Sequence, residues 1–304
     1  MFPGQGAQRP GMLHALPQEP EVIRTLREAT AILGSDPLLL DTAAALTSTC
    51  AVQLCLLIAG VAMARVFCAN TAVPDMVAGL SIGAYPAAVV AGVVDYADAL
   101  RLVRRRGQLM ESAYPQGYGM AAISGLDRYQ LAALIADVHS AATPVYLANL
   151  NGPRQMVISG SEAAMQSVLT LALASGAVKG TRLDVNVPSH CELFSHAAQE
   201  MQLYFSRTTV RRPRLTYLSA SAARALFDPA LIASDLAGNM AKQVYWSDTV
   251  RLAWERGARL AIEMPSGTVL SHLTTPIFTD GLAIACDDNR MDTLLALIAR
   301  ERLR

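Results

Sequence analysis

The chain has 304 residues, of which 52% are apolar and 16% charged, and its 25 basic side chains balance 25 acidic ones. This length and apolarity suffice for one large core or two modest ones, so a disordered protein is excluded. Zero net charge removes the long-range field on which nucleic-acid binders and anionic-membrane binders depend, and neither partner is expected.

The cysteines indicate the redox compartment. The chain has five, an odd number, with no C-x-x-C pair, which argues against a disulfide framework and a zinc site. No basic region followed by an apolar region opens the sequence, so a signal peptide is not predicted. We therefore expect a protein of the reducing cytoplasm.

The first predicted elements are mostly helical. Apolar residues recur at helical spacing over 21–33, 43–65 and 96–112, and residues 76–79 form a short apolar run typical of a buried strand. The most apolar windows, 50–64 and 73–94, are interrupted by polar residues or prolines and fall short of the roughly 20 apolar residues that span a membrane. They are predicted to be buried core elements.

The pattern changes between residues 117 and 187. It predicts strand (120–126), helix (128–140), strand (145–149), strand (155–159), helix (162–175) and strand (181–187), with Asn-Gly-Pro at 151–153 as the turn between the middle strands, which is the split ferredoxin-like order. Beyond residue 188, the pattern predicts a helix at 195–205, and strands at 215–218, 259–263 and 282–285 alternate with helices and indicate a parallel sheet. The predicted fold is α/β, with a large domain formed by 1–116 and 188–304 and a small ferredoxin-like subdomain, 117–187, inserted into it.

The clearest chemical signal is the segment 79–83 (GLSIG), which follows a predicted strand and precedes a predicted helix. In a nucleophile elbow, a serine at this position is exposed in a tight turn, and the flanking glycines allow the backbone to pack closely. The helix N-terminus also favours developing negative charge. Ser81 is therefore a candidate nucleophile, with a purely structural turn as the alternative.

A nucleophilic serine needs a base, and His190 has the most suggestive position. It follows Val187-Pro188-Ser189, where the insertion returns to the large domain and a cleft is expected. From there it is able to face Ser81 as a general base. A histidine that caps the following helix is the alternative, and Cys191 as nucleophile is a weaker one.

Arg104-Arg105-Arg106-Gly107 lies late in an amphipathic helix, just before the insertion. Three consecutive arginines are typical of a solvated face, and helical geometry directs at most one or two of them inward. An arginine that faces the cleft would bind a carboxylate bidentately and favour acidic acyl groups.

Five ordered segments then carry a family resemblance: 2–8 (FPGQGAQ), 79–83, 106–107, 151–160 (NGPRQMVISG) and 187–190 (VPSH). Together they resemble the malonyl-CoA:acyl carrier protein transacylases over essentially the whole chain. The resemblance implies an α/β-hydrolase-like domain with a ferredoxin-like insertion, malonyl-CoA as substrate, an acyl carrier protein as partner, and no metal or cofactor. It makes Ser81 the nucleophile, His190 the base and Arg106 the group that binds the malonyl carboxylate, with Gln5 and the Ile82 N–H as the oxyanion hole.

The sequence departs from this family at several positions. Leu80 and Ala84 replace the usual histidine and glutamate, and the usual first strand is expected to be short or missing, since the Phe-Pro-Gly-Gln segment starts at residue 2. The group that orients the histidine is expected to be the backbone carbonyl of Tyr245, with Gln243 as the alternative. The segment 79–88 most resembles the epsilon subunit of malonate decarboxylase, which implies transfer to the thiol of that complex's own carrier protein.

Other functions stay open on this evidence. They are a fatty-acid or polyketide malonyl transacylase, a serine thioesterase or hydrolase in which Asp184 orients the histidine, and a non-catalytic scaffold that binds the carrier. An acidic carrier is expected to dock on a basic face, for which the candidates are Arg207, Arg211, Arg212 and Arg214.

Overall fold

The computed structural model describes residues 1–70, 72–114 and 116–303 as a mixed α/β fold. Its helices are α1 (Pro20–Leu33), α2 (Thr49–Ala69), α3 (Ala84–Val90), α4 (Tyr96–Ala113), α5 (Arg128–Val138), α6 (Glu162–Ala174), α7 (Ser195–Phe205), α8 (Pro229–Gly238), α9 (Trp246–Glu255), α10 (Val269–Thr274) and α11 (Met291–Arg302). Its strands are β1 (Met76–Ala78), β2 (Tyr118–Ser124), β3 (Val145–Gly152), β4 (Gln155–Ser161), β5 (Lys179–Arg182), β6 (Thr216–Ser219), β7 (Arg224–Leu226), β8 (Leu260–Glu263) and β9 (Leu282–Ala285).

Helix α2 is the centre of the main core. By length and composition it could cross a membrane, but 89% of its most apolar window is buried inside the protein, as expected for a core helix. Its N-terminus is capped by Ser48, whose side chain accepts a hydrogen bond from the Ala51 N–H. Helix α4 packs closely against it because Gly107 has no side chain: a Cβ there would lie 2.5 Å from Cys50 Cα.

The strands outside residues 117–187 form two sheets rather than the single parallel sheet that the sequence predicts. Strands β1 and β6 pair in parallel, as do β8 and β9, whereas β7 forms an antiparallel hairpin with β6 that sequence analysis missed. Residues 1 and 2 link the sheets, since the Met1 amine donates to the Ile262 carbonyl at 2.7 Å and the Phe2 N–H donates to the Ala78 carbonyl at 2.9 Å. Phe2 forms an isolated parallel bridge with Gly79 rather than part of a strand.

Residues 118–182 confirm the predicted order of strands and helices. They form an antiparallel sheet in the order β3-β4-β2-β5, with α5, α6 and the sheet enclosing a separate apolar cluster. Strand β5 lies at 179–182 rather than at the predicted 181–187. Beyond it, the Leu183 N–H still donates to the Met120 carbonyl, and the Arg182 guanidinium donates to the carbonyls of Leu183 and Val185.

The inserted segment contacts the large domain beside residues 239–245. The Leu150 N–H donates to the Val244 carbonyl at 2.8 Å, and the Val244 N–H donates to the Ala148 carbonyl at 2.9 Å. The Gln243 amide adds a bond to the Leu147 carbonyl at 2.7 Å. These bonds fix the insert against the segment that also forms part of the site described next.

Candidate active site

Ser81 lies in the tight turn that the sequence predicts between β1 and α3. Its backbone is left-handed, with φ 57°, which costs a non-glycine residue about 1–3 kcal/mol and is typical of a nucleophile elbow. The flanking glycines are sterically required: a Cβ on Gly79 would lie 2.0 Å from the Gly83 carbonyl, and one on Gly83 would lie 2.1 Å from the Phe2 carbonyl oxygen. This close packing projects Ser81 from the end of the strand.

Arg106 is brought next to Ser81. Its Nη2 lies 3.3 Å from Ser81 Oγ and donates to Asn239 Oδ1 at 3.1 Å. Of the three consecutive arginines, only this one faces the site, because Arg104 reaches the Leu33 carbonyl and Arg105 pairs with Glu200. The inward orientation expected for one of them is thus assigned to Arg106.

The charge of Arg106 is buried without an anionic partner. The residue is 0% exposed, and burial lowers its pKa to about 10. Among the described residues, no carboxylate lies within salt-bridge distance of it, and its Nε and Nη1 find no acceptor. A buried cation is costly unless it is paired, so this site is poised to receive an anion.

His190 is also buried and has a left-handed backbone, with φ 68°. Its Nδ1 lies 2.9 Å from the Asn239 carbonyl oxygen and 3.1 Å from that of Lys242. Since carbonyls only accept, Nδ1 carries the proton and Nε2 is the basic nitrogen. Burial, followed by the positive charge of Arg106, lowers the pKa of His190 to about 4, so the imidazole is neutral at physiological pH.

The structure corrects the prediction of the group that orients His190. The Tyr245 carbonyl accepts a hydrogen bond from the Thr249 hydroxyl, and the Tyr245 N–H donates to the Ala220 carbonyl. The Gln243 amide is directed toward the insert and donates to Leu147. Neither residue contacts His190, whose partners are carbonyls a few positions earlier in the chain.

Asn239 and Lys242 are the functional residues that sequence reasoning missed. A backbone carbonyl can come from any residue type, so Lys242 leaves no signal in the sequence. Asn239 does leave one, because it is an amide in the otherwise apolar run 236–240 (LAGNM) and is buried at 3% exposure. Buried polar groups are hydrogen-bonded, which makes such a residue a candidate for a structural or functional contact.

The residues predicted to form the oxyanion hole, Gln5 and Ile82, lie at or beside the elbow. The Leu80 N–H donates to the Phe2 carbonyl, and a Cβ on Gly4 would meet Leu80, so the loop that carries Gln5 runs along the turn. The Gln5 side chain is held by Thr49 Oγ1 at 3.3 Å. The backbone N–H groups of Gln5 and Ile82 donate to no other residue in the described part of the chain. Their role in binding an oxyanion stays a prediction.

The alternative assignments receive no support from the geometry. Cys191 is buried, its Sγ donates to the Pro188 carbonyl, and burial raises the pKa of its thiol, so it is a poor nucleophile. Asp184 is exposed, whereas the His190 Nδ1 is held by carbonyls. Within residues 1–70, 72–114 and 116–303, no group of three His, Cys, Asp or Glu side chains is placed to hold a metal ion.

Comparison with known proteins identifies the family. Residues 1–278 match the acyl transferase domain. The chain belongs to this acyl transferase family. The malonyl CoA-acyl carrier protein transacylase of Haemophilus influenzae is 36% identical over 295 residues, covering 95% of this acyl transferase and 94% of that protein. Its counterpart in Escherichia coli is 36% identical over 285 residues, covering 91% of each chain.

Solved structures match over almost the whole acyl transferase. An acyl carrier protein S-malonyltransferase from Vibrio cholerae has a TM-score of 0.90 at 35% identity, covering 96% of this chain and 98% of that one. A malonyl-transacylase solved in complex with its type II PKS acyl-carrier protein has a TM-score of 0.91 at 33% identity, covering 98% of each chain.

Proposed function

We propose that this acyl transferase moves a malonyl group from malonyl-CoA, through an ester on Ser81, to the prosthetic-group thiol of an acyl carrier protein. The observation that supports this most directly is the buried guanidinium of Arg106, 3.3 Å from Ser81 Oγ and without a carboxylate partner among the described residues. An acyl group attached to Ser81 that ends in a carboxylate would supply the missing anion. Relatives named for malonyl transfer agree with this substrate.

The proposed cycle is ping-pong. His190 Nε2 takes the proton from Ser81 Oγ as that oxygen attacks the thioester carbonyl, and the oxyanion accepts hydrogen bonds from the N–H groups of Gln5 and Ile82. The carbon–sulfur bond then breaks, and His190 returns the proton to the departing CoA sulfur. The carrier thiol enters next and reverses these steps, which leaves Ser81 free and malonyl on the carrier.

Arg106 links substrate recognition to the strength of the base. Its positive charge is the second largest cause of the lowered pKa of His190. A malonyl carboxylate bound to Arg106 would offset that charge, raise the pKa of His190 and make proton abstraction from Ser81 easier. An acetyl group lacks the carboxylate and leaves the base weak.

The acyl-enzyme must be protected from water. Water is in roughly millionfold excess over a carrier protein at tens of micromolar, which corresponds to about 8 kcal/mol at 1.36 kcal/mol per tenfold. We assign this shielding to a ferredoxin-like subdomain, residues 117–187, set on an α/β-hydrolase-like domain formed by 1–116 and 188–304. The strand order β3-β4-β2-β5 and the bonds from 148–150 to Val244 support this division.

The carrier is the finer part of the proposal. The departures Leu80 and Ala84 in the elbow favour the carrier subunit of a malonate decarboxylase complex, with a prosthetic group derived from dephospho-CoA. The names of the relatives favour the carrier of a fatty-acid or polyketide system instead, and one of them was solved with a type II PKS acyl-carrier protein. All five cysteines are free thiols, which supports a cytoplasmic location for either system.

Intact-protein mass spectrometry after incubation with malonyl-CoA tests this function. We expect one malonyl adduct that is absent from Ser81→Ala and that is transferred when a holo carrier protein is added. Two holo carriers are tested in parallel, one with the prosthetic group derived from dephospho-CoA and one from a fatty-acid or polyketide system. The carrier that accepts the malonyl group identifies the system that the enzyme serves. Sustained CoA release without any carrier would instead identify a hydrolase, and no adduct at all would identify a scaffold.

A further inference from the structure

One side chain, Asn239, contacts both the nucleophile and the cation of the site. It lies in the turn after α8 at 3% exposure. Its Oδ1 accepts from Arg106 Nη2 at 3.1 Å, and its Nδ2 donates to the Ser81 carbonyl oxygen at 3.2 Å. Its own carbonyl accepts from His190 Nδ1 at 2.9 Å. A single residue therefore fixes the relative positions of all three functional groups.

The chemistry of these partners fixes the orientation of the amide. A guanidinium only donates and a carbonyl only accepts, so Oδ1 must face Arg106 and Nδ2 must face Ser81. Aspartate would accept from Arg106 but, when ionised, has no hydrogen to donate to the Ser81 carbonyl. Leucine, of similar volume, makes neither bond. An asparagine-sized amide satisfies both contacts at once.

The neutrality of this side chain has a consequence for substrate choice. Arg106 is held by two uncharged acceptors, Ser81 Oγ and Asn239 Oδ1, so its full charge remains uncompensated, and Nε and Nη1 remain free. A carboxylate at position 239 would neutralise that charge and would repel an incoming anion at a distance where screening by water is weak.

We infer that Asn239 is a positioning residue that also sets acyl selectivity: it holds the Arg106 guanidinium beside Ser81 without neutralising it, which reserves the charge for a carboxylate of the acyl group. This inference rests on the proposed function, because it assumes that Ser81 is acylated by an acidic acyl group.

The test compares malonyl-CoA and acetyl-CoA as donors in single-turnover loading, followed by intact-protein mass spectrometry, for wild type, Asn239→Asp and Asn239→Leu. Asn70→Asp is the control, because it makes the same change from amide to carboxylate at an exposed residue that is distant from Asn239 in the sequence. It is expected to load both donors as wild type does. For Asn239→Asp we expect the malonyl-to-acetyl ratio to fall at least about 100-fold, equivalent to about 2.7 kcal/mol at 1.36 kcal/mol per tenfold.

The leucine variant separates charge from position. It removes both side-chain bonds but adds no charge, so we expect both donors to load more slowly by similar factors, with a ratio within about tenfold of wild type. A folded Asn239→Asp protein with an unchanged ratio would overturn the inference, as would an Asn239→Leu protein that loads both donors at wild-type rates. If Asn239→Asp does not fold, the loading rates of Asn239→Leu decide whether Asn239 positions the site. Failure of the wild type to load malonyl would refute the proposed function instead.

Discussion

Replacing Arg106 with alanine is expected to change which acyl group the enzyme accepts. Nη1 of this guanidinium has no acceptor and the adjacent Nη2 faces Ser81 Oγ, so this edge of the guanidinium offers two donors to the carboxylate of a malonyl group on Ser81. A hydrogen bond between charged groups contributes about 1.5–3 kcal/mol, so the loss of two corresponds to about 3–6 kcal/mol, or roughly 10²- to 10⁴-fold in kcat/KM. Acetyl-CoA lacks the carboxylate, so its loading should fall much less.

The measurement is the kcat/KM of acyl loading for malonyl-CoA and acetyl-CoA in rapid-quench experiments. The ratio of the two values isolates the carboxylate contact, because loss of the bonds from Arg106 to Ser81 and Asn239 affects both donors alike. Arg105→Ala is the matched control, since Arg105 is the neighbour on the same helix and pairs with Glu200 at the surface. Equal losses for both donors in Arg106→Ala would refute the reasoning and make this arginine structural.

Three further predictions follow from the geometry. Because the neutral form of His190 is the base and its pKa in the free enzyme is about 4, the kcat/KM of acetyl loading should be constant above about pH 5 and fall as pH drops through 4. In Arg106→Ala the same fall in acetyl loading should move to higher pH, and a fall that does not move would contradict the contact between the two charges. Ser81→Ala should abolish the acyl adduct while leaving the thermal unfolding temperature close to that of wild type; an adduct that persists would place the nucleophile elsewhere. Gly83→Ala puts a Cβ 2.1 Å from the Phe2 carbonyl oxygen and should lower the free energy of unfolding by about 1–3 kcal/mol or more in urea titrations, whereas Gly152→Ala, with its closest contact at 3.6 Å, should change it little.

The elements that sequence reasoning located correctly have strong local signals. Helix α7 and strand β9 begin and end at the predicted residues, because apolar periodicity and flanking turns mark both. The elbow was predictable because only glycine fits at 79 and 83 when the backbone turns this tightly. Arg106 was predictable only as a candidate, since helical geometry allows one or two of three successive arginines to lie inward and does not decide which.

What the sequence could not show depends on long-range contacts. Residues 1 and 2 bond to Ile262 in β8 and to Ala78 in β1, which lie far apart in the chain, so the arrangement of these two sheets has no local signal. The histidine-orienting group is a backbone carbonyl, whose position no side chain reports. Tyr245 was a wrong choice because its neighbour Val244 pairs with the insert, which directs this part of the chain away from His190.

A crystal structure of the malonyl-loaded enzyme would test the central claim most directly. We predict an ester on Ser81 Oγ whose free carboxylate lies about 2.7–2.9 Å from the guanidinium nitrogens of Arg106, with Asn239 still bonded to Nη2. A loaded structure in which that carboxylate lies in solvent or in a different pocket, with the guanidinium donors of Arg106 still unpaired, would contradict the account.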